Sequence, residues 1–454
     1  MDKYLSRSID QALLEWKDNP RRKPLLVRGA RQVGKSSTIR HLGKNFKYFL
    51  EVNVERNPEV MEFFKGSRDV KSIAAKLSDF FNVPVVPGET LLFLDEIQKC
   101  EDVIYSLWFF KEDYPELHVI AAGSLLEFAL KNLSSFGVGR VSSLFVYPMS
   151  FDEFLTATRQ EGLLRIKRNS SPTNLLPEAF YNRLVEAFRS YMLVGGMPEA
   201  VATYTETGSY RYSSDIVNEI IQGYQDDFAK YGAKANPLLL RQTLISVAHQ
   251  VGAKFVYSRV EGQYRSAEVK VALEMLKDAG LIIPTYHTDA NGVPLGAEIN
   301  ERVVKYLIHD TGVLLGILGI DDDIDERIKE MMVADSIDLV DKGHVAEMMA
   351  GLELIKYSSP QKRHQLYYWQ NMNKGTCAEV DYVIARSGSI VPIEVKSGVK
   401  GSMSSMYSLM RNPQKHIEMG IRCSLENFGT FASPDGKNID IIPLYAISNL
   451  FAEK

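Results

Sequence analysis

Residues 25 to 36 read Leu25-Leu26-Val27-Arg28-Gly29-Ala30-Arg31-Gln32-Val33-Gly34-Lys35-Ser36, a short apolar run that enters a glycine-bearing turn and leaves it on lysine and serine. The turn fits GxxxxGK[ST] without a mismatch and lies between an expected strand and an expected helix, STIRHLGKNF. Glycines at 29 and 34 let backbone N–H groups turn inward around phosphate oxygens, at the positive end of the helix that follows. Lys35 would then contact the β- and γ-phosphates of a nucleoside triphosphate, and the Ser36 hydroxyl would hold Mg²⁺, with Ser37 beside it among the nucleotide-binding residues. A nucleoside triphosphate site is the first expectation, and the strand, loop and helix that frame it point to an α/β domain.

The pattern continues outward in the same sense. YFLEVNV (48 to 54), TLLFLDE (90 to 96), HVIAAG (118 to 123) and VSSLFVYP (141 to 148) read as strands, with DVKSIAAKLSDFF and SFDEFLTATRQ as helices. Continuous apolar strands between helices imply a parallel sheet covered on both faces. The strand Leu91-Leu92-Phe93-Leu94 ends on Asp95 and Glu96. Asp95 is the expected partner of Mg²⁺, and Glu96 the carboxylate that orients and deprotonates the water attacking the γ-phosphate. Ser124, at the end of the following strand, would sense the γ-phosphate or that water, a role compatible with capping a helix.

Beyond this first domain, expected over 1–165, a basic and then Ser/Pro/Asn-rich stretch from Arg165 to Pro177 reads as a boundary. Residues 178–290 read as helical, broken by GGMPEA at 195 to 200, and end in an amphipathic helix that stops at Gly280 and runs into a strand, the pattern of a winged helix. A connecting segment, 291–345, contains the acidic run DDDIDERIKE at 321 to 330. The last domain, 346–454, holds three strand-like runs, LYYWQ, AEVDYVIA and SIVPIEVK, separated by turns at Asn373-Lys374-Gly375 and Arg386-Ser387-Gly388. The period of a strand puts Glu394 and Lys396 on one face, with Asp381 on the strand before and Glu347 on a helix, HVAEMMAGLEL, before that.

The chain resembles the AAA-type ATPases, and more narrowly a bacterial and archaeal group of ATP-binding proteins whose C-terminal part is a domain of unknown function. RGARQVGKS, LLFLDEIQ, AAGSLLEF, GRVSSLFVYPMSFDEF, GGMPEA, HDTGV, EVDYV and PIEVKSG occur in that group's order. The resemblance implies that Arg140, just before the fifth strand, is an arginine finger reaching a neighbouring subunit of a homo-oligomer; a surface salt-bridge partner is the alternative at a strand start. It also implies that the Gly195-Gly196-Met197-Pro198 turn belongs to a lid. The order Glu347, Asp381, Glu394-x-Lys396 resembles the PD-(D/E)xK nuclease core. By that resemblance Glu347, Asp381 and Glu394 are metal residues for Mg²⁺, and Lys396 is catalytic, positioning or deprotonating water. A binding domain that has lost cleavage, or a purely structural role for these charges, remains the alternative.

Composition limits the partners. The 454 residues carry 53 Lys and Arg against 57 Asp and Glu, a net charge of −4 that leaves no general footprint for nucleic acid. Residues 346 to 454 hold twelve Lys and Arg against ten Asp and Glu, little for a surface that tracks phosphates. Duplex contact by DNA or RNA would fall to Arg259, Arg265, Lys270 and Lys277, which share their region with Glu261, Glu268, Glu274 and Asp278. Trp369, Tyr367 and Tyr368 read as strand core rather than a base-stacking platform. The start, MDKYLSRSID, lacks the apolar stretch of a secretory signal, no run could span a bilayer, and Cys100, Cys377 and Cys423 form no pair, so a cytoplasmic protein without membrane contact is expected. The sequence reading is a Mg-dependent ATPase that regulates a nuclease-like domain acting on nucleic acid. Its alternative is an ATP-gated signalling or protein-binding switch whose nuclease-like domain is inactive.

Overall fold

The computed structural model describes residues 4–132, 139–231, 236–319, 342–371, 378–398 and 401–451. The acidic run at 321 to 330, the turn at 373 to 375 and Cys377 lie outside them. The chain divides into two compact units: Met1–Pro148 with Asp278–Leu281 and Ser359–Arg363, and Met149–Lys277 with Ile282–Ser358 and His364–Lys454.

The first unit opens with α1 (Ile9–Asp18), β1 (Leu25–Arg28), α2 (Lys35–Gly43) and β2 (Tyr48–Asn53), followed by α3 (Met61–Phe64), α4 (Val70–Phe81) and β3 (Thr90–Asp95). It closes with α5 (Glu101–Asp113), β4 (His118–Ala122), α6 (Leu126–Asn132) and β5 (Ser142–Phe145). All five strands run parallel in the order β2-β3-β4-β1-β5. Every residue of β3 and of β4 is buried, as expected for strands covered on both faces. Alternate residues Leu50 and Val52, Leu92 and Leu94, and Val119 and Ala121 meet Ile73 and Leu77 of α4 and Leu107 and Phe110 of α5 in one core. α4 starts where the Asp69 carboxylate accepts from Ser72 N–H, and stops at Asn82, whose φ of 51° suits a residue that tolerates the left-handed region.

The second unit begins with α7 (Phe151–Ala157), α8 (Glu161–Arg168), α9 (Glu178–Val194), α10 (Pro198–Thr207) and α11 (Tyr210–Asp227). Ser150 and Glu153 close a capping box at the start of α7. The basic start of the 165–177 stretch is helical: α8 runs to Arg168, and Lys167 is fully buried with its ammonium donating to Asp152 and Ser448. Next come α12 (Pro237–His249), α13 (Ser266–Asp278), β6 (Ile282–Thr288), β7 (Ile299–Ile308), α14 (Thr311–Ile317) and α15 (Lys342–Lys356). The remainder is β8 (Leu366–Gln370), β9 (Glu379–Val380), β10 (Tyr382–Arg386), β11 (Ser389–Val395), α16 (Ser404–Arg411), β12 (Met419–Ser424), β13 (Gly429–Ala432) and β14 (Asn438–Pro443). β6 and β7 form an antiparallel hairpin after two helices, and β8 then pairs with β6 in parallel, so the C-terminal segment extends the hairpin's sheet to β7-β6-β8-β9. A second sheet runs β10-β11-β12-β14-β13. The single strand expected over AEVDYVIA is split at Asp381, where the chain leaves one sheet and enters the other. Tyr368 and Trp369 are buried, and Cys100 and Cys423 are unpaired thiols. Among the described residues, no helix is long and apolar enough to cross a membrane.

The GGMPEA and HDTGV motifs meet in this unit. The buried Asp310 carboxylate accepts from Val313 N–H at 3.2 Å, capping α14, and from Gly196 N–H at 2.6 Å. A Cβ on Gly195 would lie 2.3 Å from Asp310 Oδ1, and one on Gly196 would lie 2.2 Å from the Met149 carbonyl oxygen, so both positions require glycine. Asp310→Ala removes a cap and strands a buried N–H, which together cost about 2–4 kcal/mol. Urea unfolding followed by circular dichroism should show that loss, with Asp310→Asn recovering part of it.

Candidate functional site

The phosphate loop is shaped by two backbone constraints. Gly29 has φ of +144°, and a Cβ there would sit 2.1 Å from the Val146 carbonyl oxygen. Gly34 has φ of +92° and delivers the chain into α2, whose first residue is Lys35. Lys35 Nζ donates to the carbonyls of Gly29 at 3.0 Å and Ala30 at 2.6 Å, and its side chain is buried inside the loop. Burial lowers its pKa to about 8, against the opposing pull of Glu96 and Asp95. Arg7, which nothing in the sequence singled out, holds the loop from the N-terminal side: its guanidinium donates to Val33 O at 3.0 Å and Tyr147 O at 2.7 Å.

The sheet order puts β4 between β1 and β3, so Ser124 comes between the phosphate loop and the acidic pair. The buried Asp95 accepts from Ser36 Oγ at 3.3 Å and from Asn53 Nδ2 at 3.4 Å. Burial, then the neighbouring Glu96, raises its pKa. A hydroxyl and a carboxylate at this separation are the oxygen donors that a hard cation such as Mg²⁺ takes, so the residues fit the ion. Glu96 occupies the left-handed region at φ of +55°, which costs a non-glycine residue on the order of 1 kcal/mol. Its Oε2 accepts from Ser124 Oγ at 3.0 Å and from Gln98 Nε2 at 2.5 Å. A Cβ on Gly123 would strike Gln98 Oε1 at 2.1 Å, so glycine there admits the Gln98 side chain.

In the second unit Asp381 and Glu394 are neighbours across the β10–β11 hairpin, and Asp381 Oδ2 accepts from Val395 N–H at 2.8 Å. Lys396 Nζ donates to Glu394 Oε1 at 2.6 Å, while Glu394 Oε2 is buried without a hydrogen-bond partner. Glu347 does not join them as a bare carboxylate. Its Oε1 is 2.8 Å from the ammonium of Lys305 on β7, which also lies 2.6 Å from Glu379 Oε1. Lys305 is 1% exposed. Burial alone would lower its pKa, but Glu347, Glu379 and Asp381 outweigh that and raise it, so the amine stays charged. Burial pushes Glu347 up to about 8 and Glu394 up to about 7, Asp381 adding to both. Among the described residues no group of three or more His, Cys, Asp and Glu is placed to hold a metal ion. The set Glu347, Asp381 and Glu394 expected for Mg²⁺ therefore does not fit it: the cation amid these acids is a lysine.

Residues 21–155 match the model of a family described as AAA domain. They contain the loop, Asp95, Glu96 and Ser124 in the geometry above. The N-terminal unit carries an AAA domain. Residues 185–324 match a domain of unknown function (DUF8612), and residues 342–447 match a second one (DUF4143). No curated protein matches the chain. Among solved structures, a chain of "Structure of Drosophila ORC bound to DNA" aligns at 16% identity and a TM-score of 0.26, over 68% of this chain and 84% of that one.

Arg140 stands at the N-terminal end of β5 in the AAA domain, opposite the strand ends that carry Asp95 and Ser124. Its guanidinium pairs with Glu112 at 2.6 Å and lies 3.9 Å from the centre of the Trp108 ring. In the second unit, the Lys277 ammonium expected at a duplex is paired with Glu274, and Glu268 accepts from the N–H of Arg265. Gln98 carries no sequence signal, being an amide two residues past a motif. Lys305 does: it is the one charge in VVKYLI, and a lone charge in an apolar strand requires a buried counter-charge.

An AAA domain implies nucleotide binding, and Lys35 in the role expected of it would make that binding pH-dependent. Phosphates would hold the amine charged, whereas burial, which lowers its pKa to about 8, would otherwise let it lose its proton above that pH, so binding there would take up a proton. Affinity for a fluorescent ATP analogue should fall by up to about tenfold per pH unit above pH 8 and stay level below pH 7. Lys35→Arg, charged throughout, should flatten the profile, and a flat wild-type profile from pH 8 to 9.5 contradicts the assignment.

Proposed function

We propose that the AAA domain is a Mg²⁺-dependent ATPase whose nucleotide cycle governs the second unit. The observation that carries this reading is the Glu96 carboxylate, held by Ser124 and Gln98 one residue beyond an aspartate that bonds to the loop serine. The N–H groups of residues 29–36 cradle the phosphates, and Lys35 gives up its two carbonyl acceptors to take β- and γ-phosphate oxygens. Ser36 and Asp95 would hold Mg²⁺, which when bound neutralises charge developing on the phosphates. Glu96 takes the proton of the attacking water, and Ser124 and Gln98 fix the carboxylate oxygen that receives it. The left-handed backbone at Glu96 supports this role, because such strain persists where surrounding structure holds a working group in place.

Arg140 acts in a homo-oligomer on this reading. At the far end of β5 it is remote from its own chain's site, so a finger role requires a neighbouring subunit, and the guanidinium must exchange Glu112 for a phosphate. For the second unit we favour a non-cleaving recognition module for a nucleic acid or protein partner. The runner-up, cleavage of DNA or RNA, is supported by the convergence of Asp381, Glu394 and Lys396.

Glu96→Gln should lower phosphate release by about 10²–10⁴-fold while ATP-analogue affinity stays within a few-fold of wild type. Lys35→Ala should lose the affinity itself. Turnover that survives both substitutions contradicts the proposal.

A further inference from the structure

We infer that Lys305 is the resident cation of the C-terminal acid cluster and that the cluster, as folded, takes no divalent metal ion. The inference concerns the second unit and rests on the favoured reading of that unit, not on ATP turnover. Four carboxylates converge here, from Glu347 on α15, Glu379 on β9, Asp381 at the crossover between sheets and Glu394 on β11. Acids this close exclude one another's charge unless a cation lies among them. A divalent ion would meet that need in a metal-dependent nuclease. The Lys305 ammonium meets it instead, bridging Glu347 and Glu379 at 2.8 and 2.6 Å and sealed from solvent.

Two further oxygens of the set are engaged. Lys396 takes Glu394 Oε1 and the Val395 N–H takes Asp381 Oδ2. Mg²⁺ requires about six oxygens near 2.1 Å in an octahedron. Glu394 Oε2 is buried without a hydrogen-bond partner. A doubly charged ion drawn to it would share that carboxylate with the Lys396 ammonium, and the like charges oppose its entry. Withdrawal of Lys305, which is 1% exposed, would leave Glu347 buried and unpaired. The cluster thus keeps the residues of a phosphodiesterase centre while lacking a place for its metal.

Mn²⁺ titration of the full chain without nucleotide, read by electron paramagnetic resonance of the free ion, tests this. Wild type should show no site in the micromolar range that Asp381→Asn removes; finding one overturns the inference. Lys305→Met should gain one Mn²⁺ site at least about tenfold tighter than anything in wild type. Asp381→Asn in that background should abolish the site, and Lys305→Arg should not create it. Should Lys305→Met fail to fold, Lys305→Met with Glu347→Gln removes the pair together, and Mn²⁺ should then bind between Asp381 and Glu394. A folded variant of either kind without Mn²⁺ binding also overturns it. Phosphate release in the same preparations keeps the ATPase reading separate, since its loss leaves these titrations unaffected.

Discussion

A carboxylate removed from water must keep a positive group beside it or surrender its charge, and both acidic centres of this chain are organised by that constraint. In the AAA domain Asp95 and Glu96 act on a buried lysine, and Asp95 accepts from a serine hydroxyl, oxygen donors of the kind a hard cation takes. In the second unit Glu347, Glu379, Asp381 and Glu394 face Lys305 and Lys396. The same demand is satisfied there by the chain's own amines. On the reading proposed above, one centre is left receptive to an arriving ion and the other is supplied from within.

Topology decides which side chains share each centre. The order β2-β3-β4-β1-β5 inserts β4 between the loop strand and the acidic strand, so a serine 28 residues after Glu96 becomes its hydrogen-bond donor. In the second unit, β8 pairing with β6 carries the C-terminal segment against the β6–β7 hairpin, and with it Glu379 to Lys305. Asp381 owes its position to the point where one run of residues changes sheets.

The loop, the acidic strand end and the alternation of strand and helix were legible in the sequence because each depends on contacts within a few residues: a glycine that must turn, a lysine that must follow it, an apolar strand that must end in acid. Glu394 and Lys396 were legible for the same reason, through the period of a strand. Partnerships fixed by folding at a distance were not. Gln98 reaches Glu96 only because Gly123, from another strand, leaves room for it. Lys305 is 42 residues from Glu347 and belongs to a strand that reads as ordinary core. Its one signal, a charge amid apolar neighbours, says that a partner exists without naming it. Lys167 belongs to the same class: its charge is plain in the sequence, its partners Asp152 and Ser448 are not.

Two centres that meet the same electrostatic demand differently should differ in their response to metal. The most direct measurement is the anomalous difference map from crystals grown with a non-hydrolysable ATP analogue and soaked in Mn²⁺. A single peak per chain, next to Ser36, Asp95 and the analogue's phosphates, with nothing between Asp381 and Glu394, is the predicted result. A peak bridging Asp381 and Glu394, or none beside Ser36 with the analogue bound, would contradict it.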